Sequence, residues 1–186
     1  MEISGIWEAA SAFRFCPSCA SPRISSEGGR KWVCPDCGFE YFHNVAVSAS
    51  VIIDAGGSFV LLKRANEPRR GFLSLPGGFV DPGERAEDGA LRECREELGW
   101  APDRIEFLAT FPNSYPYRGV PYATCDLYFS AEAAASEIAE FRTDPGEVAG
   151  LVLIPFDAIP WDEIAFESAR LALRQHLRQS RKFSYQ

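Results

Sequence analysis

Histidine and methionine are scarce: two His, His43 and His176, and one Met among 186 residues. The histidines are isolated from each other and read as structural. Long apolar runs are missing too. None approaches the roughly 20 residues of a membrane span, so no membrane partner is expected. The opening stretch, MEISGIWEAASAF, lacks the basic start and apolar core of a signal peptide, which makes the cytoplasm the expected location. Positive charge is in deficit, with 19 Lys and Arg against 26 Asp and Glu and a net charge of −7. That balance argues against a nucleic-acid polymer as the main partner, because binding to phosphate backbones draws on clustered cations. Small phosphorylated molecules stay open, since a bound metal ion would invert the local sign. No internal repeat, low-complexity tract or helix-turn-helix segment is present. What remains is 46% hydrophobic and 24% charged, the composition of a globular protein with room for one domain and one small module.

The densest information lies in residues 78 to 100, GFVDPGERAEDGALRECREELGW. At about 100° per residue, Glu93, Glu96 and Glu97 share one arc of a short helix, while Leu91, Cys94 and Leu98 fall opposite and can face a core. Like charges three and four residues apart repel, so the acidic stripe is unfavourable unless a cation neutralises it. Hard oxygen donors suit Mg²⁺ or Mn²⁺, which share their coordination with substrate phosphates. Gly99 stands where a left-handed C-terminal cap is expected, and Gly89 inside the helix costs roughly 1 kcal/mol relative to Ala.

This spacing resembles the Nudix box, the signature of hydrolases that cut nucleoside diphosphates linked to another group. There a Gly is followed after five residues by Glu, then after seven by Arg-Glu, an apolar residue, any residue, Glu-Glu, any residue, Gly and an apolar residue. Gly78, Glu84, Arg92, Glu93, Glu96, Glu97 and Gly99 match, with Cys94 and Trp100 in the apolar slots. The resemblance implies an α/β protein, a Nudix α/β/α sandwich with a mixed sheet, and a catalytic Mg²⁺ or Mn²⁺. It implies Glu93, Glu96 and Glu97 as metal ligands, Glu84 as support for the metal shell, Arg92 as the residue that orients a carboxylate, and Gly78 as a point of close approach. Glu147, in Pro145-Gly146-Glu147, resembles the loop glutamate that serves some members as a further ligand or general base. Glu163 and Glu167 are alternatives for that base.

Four of the six cysteines form Cys16-Pro-Ser-Cys19 and Cys34-Pro-Asp-Cys37, 14 residues apart. Two such knuckles supply four thiolates for a closed tetrahedral zinc site of zinc-ribbon type. The competing readings are a disulfide framework and a redox pair. Arg14, Arg23, Arg30 and Lys31 are offset by Glu27, Asp36 and Glu40, so the ribbon shows no electrostatic footprint for nucleic acid and reads as a structural or dimer-forming module. Cys94 and Cys125 read as buried thiols.

The expected organisation is an N-terminal segment over 1–14, the ribbon over 15–42, the hydrolase domain over 43–180 and a tail over 181–186. Strands are expected at 45–54 and 58–64, joined by a tight turn at Ala55-Gly56-Gly57, and at 104–111, 121–130 and 148–154. Residues 131–140 read as a surface excursion or short helix, and 162–179 as a helix packed on the sheet. Basic residues at its end complement the helix dipole.

A ribbon ahead of a Nudix domain is similar to the NADH pyrophosphatase group. The further motif of that group, Ser-Gln-Pro-Trp-Pro-Phe-Pro-x-Ser, is replaced here by Phe111-Pro-Asn-Ser-Tyr-Pro-Tyr117. Pro116 resembles a marker of ADP-ribose hydrolases, Tyr117 one of dinucleoside polyphosphate hydrolases. Tyr115 and Tyr117 are candidates for stacking on a base. The resemblance implies a small nucleotide substrate, ADP-ribose or NAD(H), cut to AMP, and a possible homodimer. The alternatives are hydrolysis of nucleoside triphosphates, a non-catalytic nucleotide-sensing module, and action on the 5′ end of RNA, which the charge balance opposes.

Overall fold

The computed structural model describes residues 13–118 and 120–183. Most of the expected N-terminal segment, and the end of the expected tail, lie outside them. Two compact units are present: the chain before Val47 together with Ser114–Thr124, and the remainder.

In the first unit, β1 (Ser25–Glu27), β2 (Lys31–Val33) and β3 (Glu40–Phe42) form an antiparallel sheet in that order. Gly28 and Gly29, both at positive φ, turn the chain between β1 and β2. Trp32 is fully buried, and Phe13 meets its ring edge-on at 5.1 Å.

The larger sheet contains β4 (Ala46–Asp54), β5 (Ser58–Arg64), β6 (Leu73–Ser74), β7 (Gly77–Phe79), β8 (Glu106–Tyr117), β9 (Val120–Glu132) and β10 (Val148–Pro155). Its order is β10-β5-β4-β9-β8, with β6 against β5 and β7 against β4. β5 runs antiparallel to both β4 and β10. β4 and β9 run the same way: Ser48 bonds to Asp126, and further along both strands the Ala133 N–H, just past the end of β9, reaches the Asp54 carbonyl. The sheet is therefore mixed.

Alternation along the central strands builds two layers. Ala49, Val51, Ile53, Val60 and Leu62 pack with Ala90, Cys94 and Leu98 of α1 (Ala86–Leu98), while Ile52, Phe59 and Leu61 pack with Ala169, Ala172 and Leu173 of α3 (Glu167–Phe183). Burial on both faces explains the near-continuous apolar runs VII and FVLL. The result is an α/β/α sandwich.

Several boundaries differ from those expected. The β8 and β9 segments are longer, reaching Tyr117 and Glu132. The 131–140 stretch closes β9 and then holds a single turn, α2 (Ala135–Ile138). The terminal helix starts at Glu167 rather than near 162, because a 3₁₀ turn at Trp161–Glu163 leads into a parallel bridge between Ile164 and Leu73. An extended residue cannot also be helical. Leu91 and Cys125 are half-buried rather than core.

A polar network crosses the α3 layer. Asp126, 5% exposed, accepts from Ser48 Oγ at 2.7 Å, Asn113 Nδ2 at 2.8 Å and Ser168 Oγ at 2.7 Å, and Ser168 in turn accepts from the Tyr128 hydroxyl at 2.9 Å. It ties α3 to β9. Ser168→Ala removes one donor and orphans the Tyr128 hydroxyl, so urea unfolding is expected to show a loss of about 1–3 kcal/mol.

Candidate active site and zinc centre

The box helix is framed by its glycines. Asp81-Pro82-Gly83 turns the chain before it, with the Glu84 N–H bonded to the Asp81 carbonyl. Gly99 ends it at φ 64°, its N–H reaching the Arg95 carbonyl at 2.9 Å. With Ala90, Cys94 and Leu98 turned into the core, Glu93 and Glu97, also four apart, turn toward β7. That approach tolerates no Cβ. A side chain at Gly78 would lie 2.4 Å from Glu93 Oε1, and one at Gly77 2.4 Å from the Ala49 carbonyl oxygen. The Gly77 N–H donates to Glu97 Oε2 at 2.9 Å.

Arg92 organises one side of the site. Its Nε and one terminal nitrogen grip both oxygens of Glu84, each at 3.0 Å. The other terminal nitrogen reaches Glu93 at 2.8 Å and Glu96 at 3.1 Å, and a further bond goes to the Phe79 carbonyl at 3.0 Å. All five guanidinium N–H groups are thereby used. Glu84 also accepts the Asp81 N–H. The Arg92 bonds hold the Glu84 carboxyl below the usual range, aided by that N–H. Glu84 therefore stands as the anchor of Arg92.

On the other side, Glu93, Glu97 and Glu147 each bring a carboxylate oxygen within 4.8 Å of the others. Glu96 is turned outward, its side chain 53% exposed against 14% for Glu93. Burial pushes the Glu97 carboxyl up to about 8; the Gly77 N–H opposes this, and the nearby Glu93 and Glu147 carboxylates add to it. Burial likewise raises Glu93, against its bonds to Arg92. Three converging hard-oxygen donors, two of them reluctant to ionise alone, fit a divalent cation of the Mg²⁺ or Mn²⁺ kind.

Glu147 reaches the site through its turn. Asp144 accepts the Glu147 and Val148 N–H groups, while the Ala65 N–H binds the Glu147 carbonyl at 2.9 Å and Asn66 Nδ2 binds the Gly146 carbonyl at 2.7 Å. Arg64, facing Val148 across β5 and β10, adds a positive field at Glu97. Its Nε donates to the Pro68 carbonyl at 2.8 Å. Sequence reasoning missed Gly77, Arg64 and Asn66. No motif spacing marks the last two, because Asn66 meets Gly146 80 residues away and Arg64 acts on Glu97 from another strand. Tyr115 and Tyr117 sit on the outer part of the β8–β9 hairpin, in the first unit, with ring centroids 6.4 Å apart. Glu163 and Glu167 are exposed beside the start of α3.

In the ribbon, Cys16, Cys19, Cys34 and Cys37 bring their sulfurs within 4.8 Å of one another. The Cys16–Cys37 and Cys19–Cys34 separations are both 3.7 Å. That is far beyond a disulfide bond of about 2.05 Å and equals the edge of a tetrahedron with Zn–S of about 2.3 Å. The knuckles share one geometry: the Ala20 N–H binds the Cys16 carbonyl and the Gly38 N–H binds that of Cys34, with both residues at positive φ. The four thiolates form a structural zinc centre.

Two measurements follow. Glu97 keeps its proton to about pH 8 in the folded chain but releases it near 4.5 when unfolded, so its contribution is complete below 4.5 and lost as pH passes 8. In metal-free buffer, wild type should lose stability relative to Glu97→Gln between pH 5 and 8, and the Tm gain from added Mg²⁺ should grow over the same range. Zinc analysis by mass spectrometry should give one ion per chain, lost in Cys34→Ser.

Comparison with known proteins agrees with this geometry. The NUDIX domain model matches residues 42–175, and that of the NADH pyrophosphatase zinc ribbon domain matches residues 11–42. A protein of Stutzerimonas stutzeri named NAD-capped RNA hydrolase NudC is 34% identical over 72% of this chain and 45% of its own length. The chain thus spans about half the length of the curated relatives it matches. The crystal structure of a MutT NUDIX hydrolase from Burkholderia pseudomallei has a TM-score of 0.57 and 28% identity, covering 71% of this chain and 98% of its own. A NUDIX hydrolase from Nitrosomonas europaea shares the fold with a TM-score of 0.64 at 24% identity, covering 90% of this chain and 92% of its own. Box, sandwich and ribbon together assign the chain to the Nudix family, in which it carries an N-terminal zinc ribbon.

Proposed function

We propose that the protein hydrolyses the pyrophosphate bond of a nucleoside diphosphate linked to another moiety, with ADP-ribose or NAD(H) as the leading substrates and AMP as a product. The convergence of Glu93, Glu97 and Glu147 carries this reading. They would hold Mg²⁺ or Mn²⁺. Such an ion, when bound, neutralises phosphate charge and acidifies a coordinated water. Arg92 restrains Glu93 so that its oxygen stays in the cluster, and Glu84 holds Arg92. Gly77 and Gly78 keep the loop close enough for a pyrophosphate to meet the carboxylates. Glu147, on an exposed turn, serves in this reading either as a further ligand or as the base that takes the proton of an attacking water. Tyr115 and Tyr117 offer aromatic faces for a base.

The family description of the ribbon and the name of the relatives both point to nicotinamide dinucleotides, which supports NAD(H) over a nucleoside triphosphate. The cytoplasm is the proposed location. The knuckle cysteines, spaced for zinc rather than for disulfides, suit a reducing compartment. A homodimer is carried over from the family resemblance.

The deciding assay incubates the purified protein and Glu97→Gln with Mg²⁺ and, separately, ADP-ribose, NAD⁺, NADH, diadenosine polyphosphates and nucleoside triphosphates. AMP released from NAD(H) or ADP-ribose, and reduced at least about 10²-fold in the variant, is the expected result. Cleavage of triphosphates alone would move the substrate to the runner-up. A ligand that raises Tm without turnover would replace catalysis with sensing.

A further inference from the structure

Two members of the carboxylate cluster are held by bonds to their own side chains. Glu93 is gripped by Arg92, and Glu97 accepts the Gly77 N–H. Glu147 comes from outside the box, on a turn whose residues 144–147 are all exposed. Its oxygen stays within 4.8 Å of the other two through the backbone that carries it. Ala65 and Asn66 fix the downstream side of that turn. A chain fixed at one end still swings at the other, so the upstream side needs an anchor too.

That anchor lies on the box helix itself. The Arg142 N–H donates to the Leu98 carbonyl at 2.7 Å, satisfying one of the carbonyls that the C-terminus of α1 leaves without an intrahelical partner. Leu98 directly follows Glu97. Gly99 permits the approach, because a Cβ there would lie 3.3 Å from both the Cβ and the carbonyl oxygen of Arg142. One residue on, the Trp100 ring lies against that of Phe141, with centroids 5.0 Å apart and planes at 36°. Both rings are half-buried and pack on the layer that contains Ala90, Cys94 and Leu98. An aromatic pair adds a preferred geometry to ordinary burial. Five residues then lead from Arg142 to Glu147. Asp144 closes them by accepting the Gly146, Glu147 and Val148 N–H groups. Two of the carboxylates and the anchor of the third therefore share one helix, and a shift of α1 carries all three.

We propose that Trp100 is a positioning residue for Glu147: stacked on Phe141, it pins the 141–147 segment to the end of α1 and keeps the third carboxylate in the cluster. The inference rests on the reading of Glu93, Glu97 and Glu147 as the site of a divalent cation. Filling the core after Gly99 asks only for an apolar side chain. The flat ring is what Phe141 requires.

The test titrates Mn²⁺ into the full, zinc-loaded chain and follows free Mn²⁺ by electron paramagnetic resonance, for wild type, Trp100→Ala, Trp100→Phe, Glu147→Gln and the pair Trp100→Ala/Glu147→Gln. Trp100→Ala and Glu147→Gln are each expected to weaken binding by about tenfold, the lower end for groups that orient a metal ligand, with Trp100→Phe close to wild type. The pair should bind no more weakly than Glu147→Gln alone, because Trp100 acts through that carboxylate. Losses that multiply would overturn the proposal, since independent sites contribute additively in free energy. Amide hydrogen exchange in metal-free buffer gives a second readout. Trp100→Ala should speed exchange at Arg142, Val148 and Ala65 and leave Val51, bonded to the Pro76 carbonyl in the sheet, as in wild type. Unchanged rates at the first three, or an equal rise at Val51, would remove the clamp. If wild type holds no Mn²⁺, or Glu147→Gln holds it as wild type does, the metal reading fails by itself and exchange alone decides the clamp. Should Trp100→Ala not fold, Phe141→Leu, which keeps apolar volume but loses the ring, replaces it in both measurements.

Discussion

One guanidinium sets the terms for the rest of the site. The four box glutamates, Glu84 ahead of α1 and Glu93, Glu96 and Glu97 on its later turns, gather beside Arg92, and left alone they would repel each other and draw in water. Arg92 spends all five N–H groups on them and on the Phe79 carbonyl. That saturation divides the acids by role. Glu84 and Glu96 are satisfied by Arg92, whereas burial disfavours the charged form of Glu97, which Arg92 does not bond. Glu97 instead shares the carboxylate cluster with Glu93 and Glu147.

The glycines are the steric cost of the same arrangement. Gly89 sits mid-helix, where alanine would be better by roughly 1 kcal/mol, yet a Cβ there would come within 2.9 Å of Glu84 Oε2. Gly78 leaves room for Glu93, and Gly77 leaves room for β4 while lending its N–H to Glu97. Small Cys94, fully buried behind this face, lets α1 settle against the sheet. A helix poor in intrinsic stability is retained because tertiary packing, with Ala90, Cys94 and Leu98 in one core, holds it.

The two units solve folding differently. The sandwich buries strands on both faces and draws on ordinary apolar area. Among its described residues the ribbon has one large fully buried side chain, Trp32, and short strands, too little core to stand alone. Its four sulfurs, already at tetrahedral spacing, let metal binding supply the folding free energy. The ion pair of Arg23 with Asp36 and that of Lys31 with Glu40 leave the ribbon's charges largely occupied, which fits a supporting module.

Local spacing by itself determined the box helix, its Gly99 cap, the zinc knuckles and the central strands, because each depends on residues within a few positions of one another. Helical period separates Cys94 and Leu98 from Glu93 and Glu97 without reference to anything distant. Only the tertiary structure decided which glutamates converge. Glu96 shares the acidic arc with Glu93 and Glu97, but β7 and the Glu147 turn approach from the other edge of that arc, and Arg92 holds Glu96 outward. Placement of Glu147 depends on Ala65 and Asn66, far away in sequence, and the field at Glu97 comes from Arg64 on another strand. The start of α3 was likewise set by Ile164 pairing with Leu73, a contact no helical periodicity contains. Periodicity records which face a residue takes, and long-range hydrogen bonds decide what that face meets.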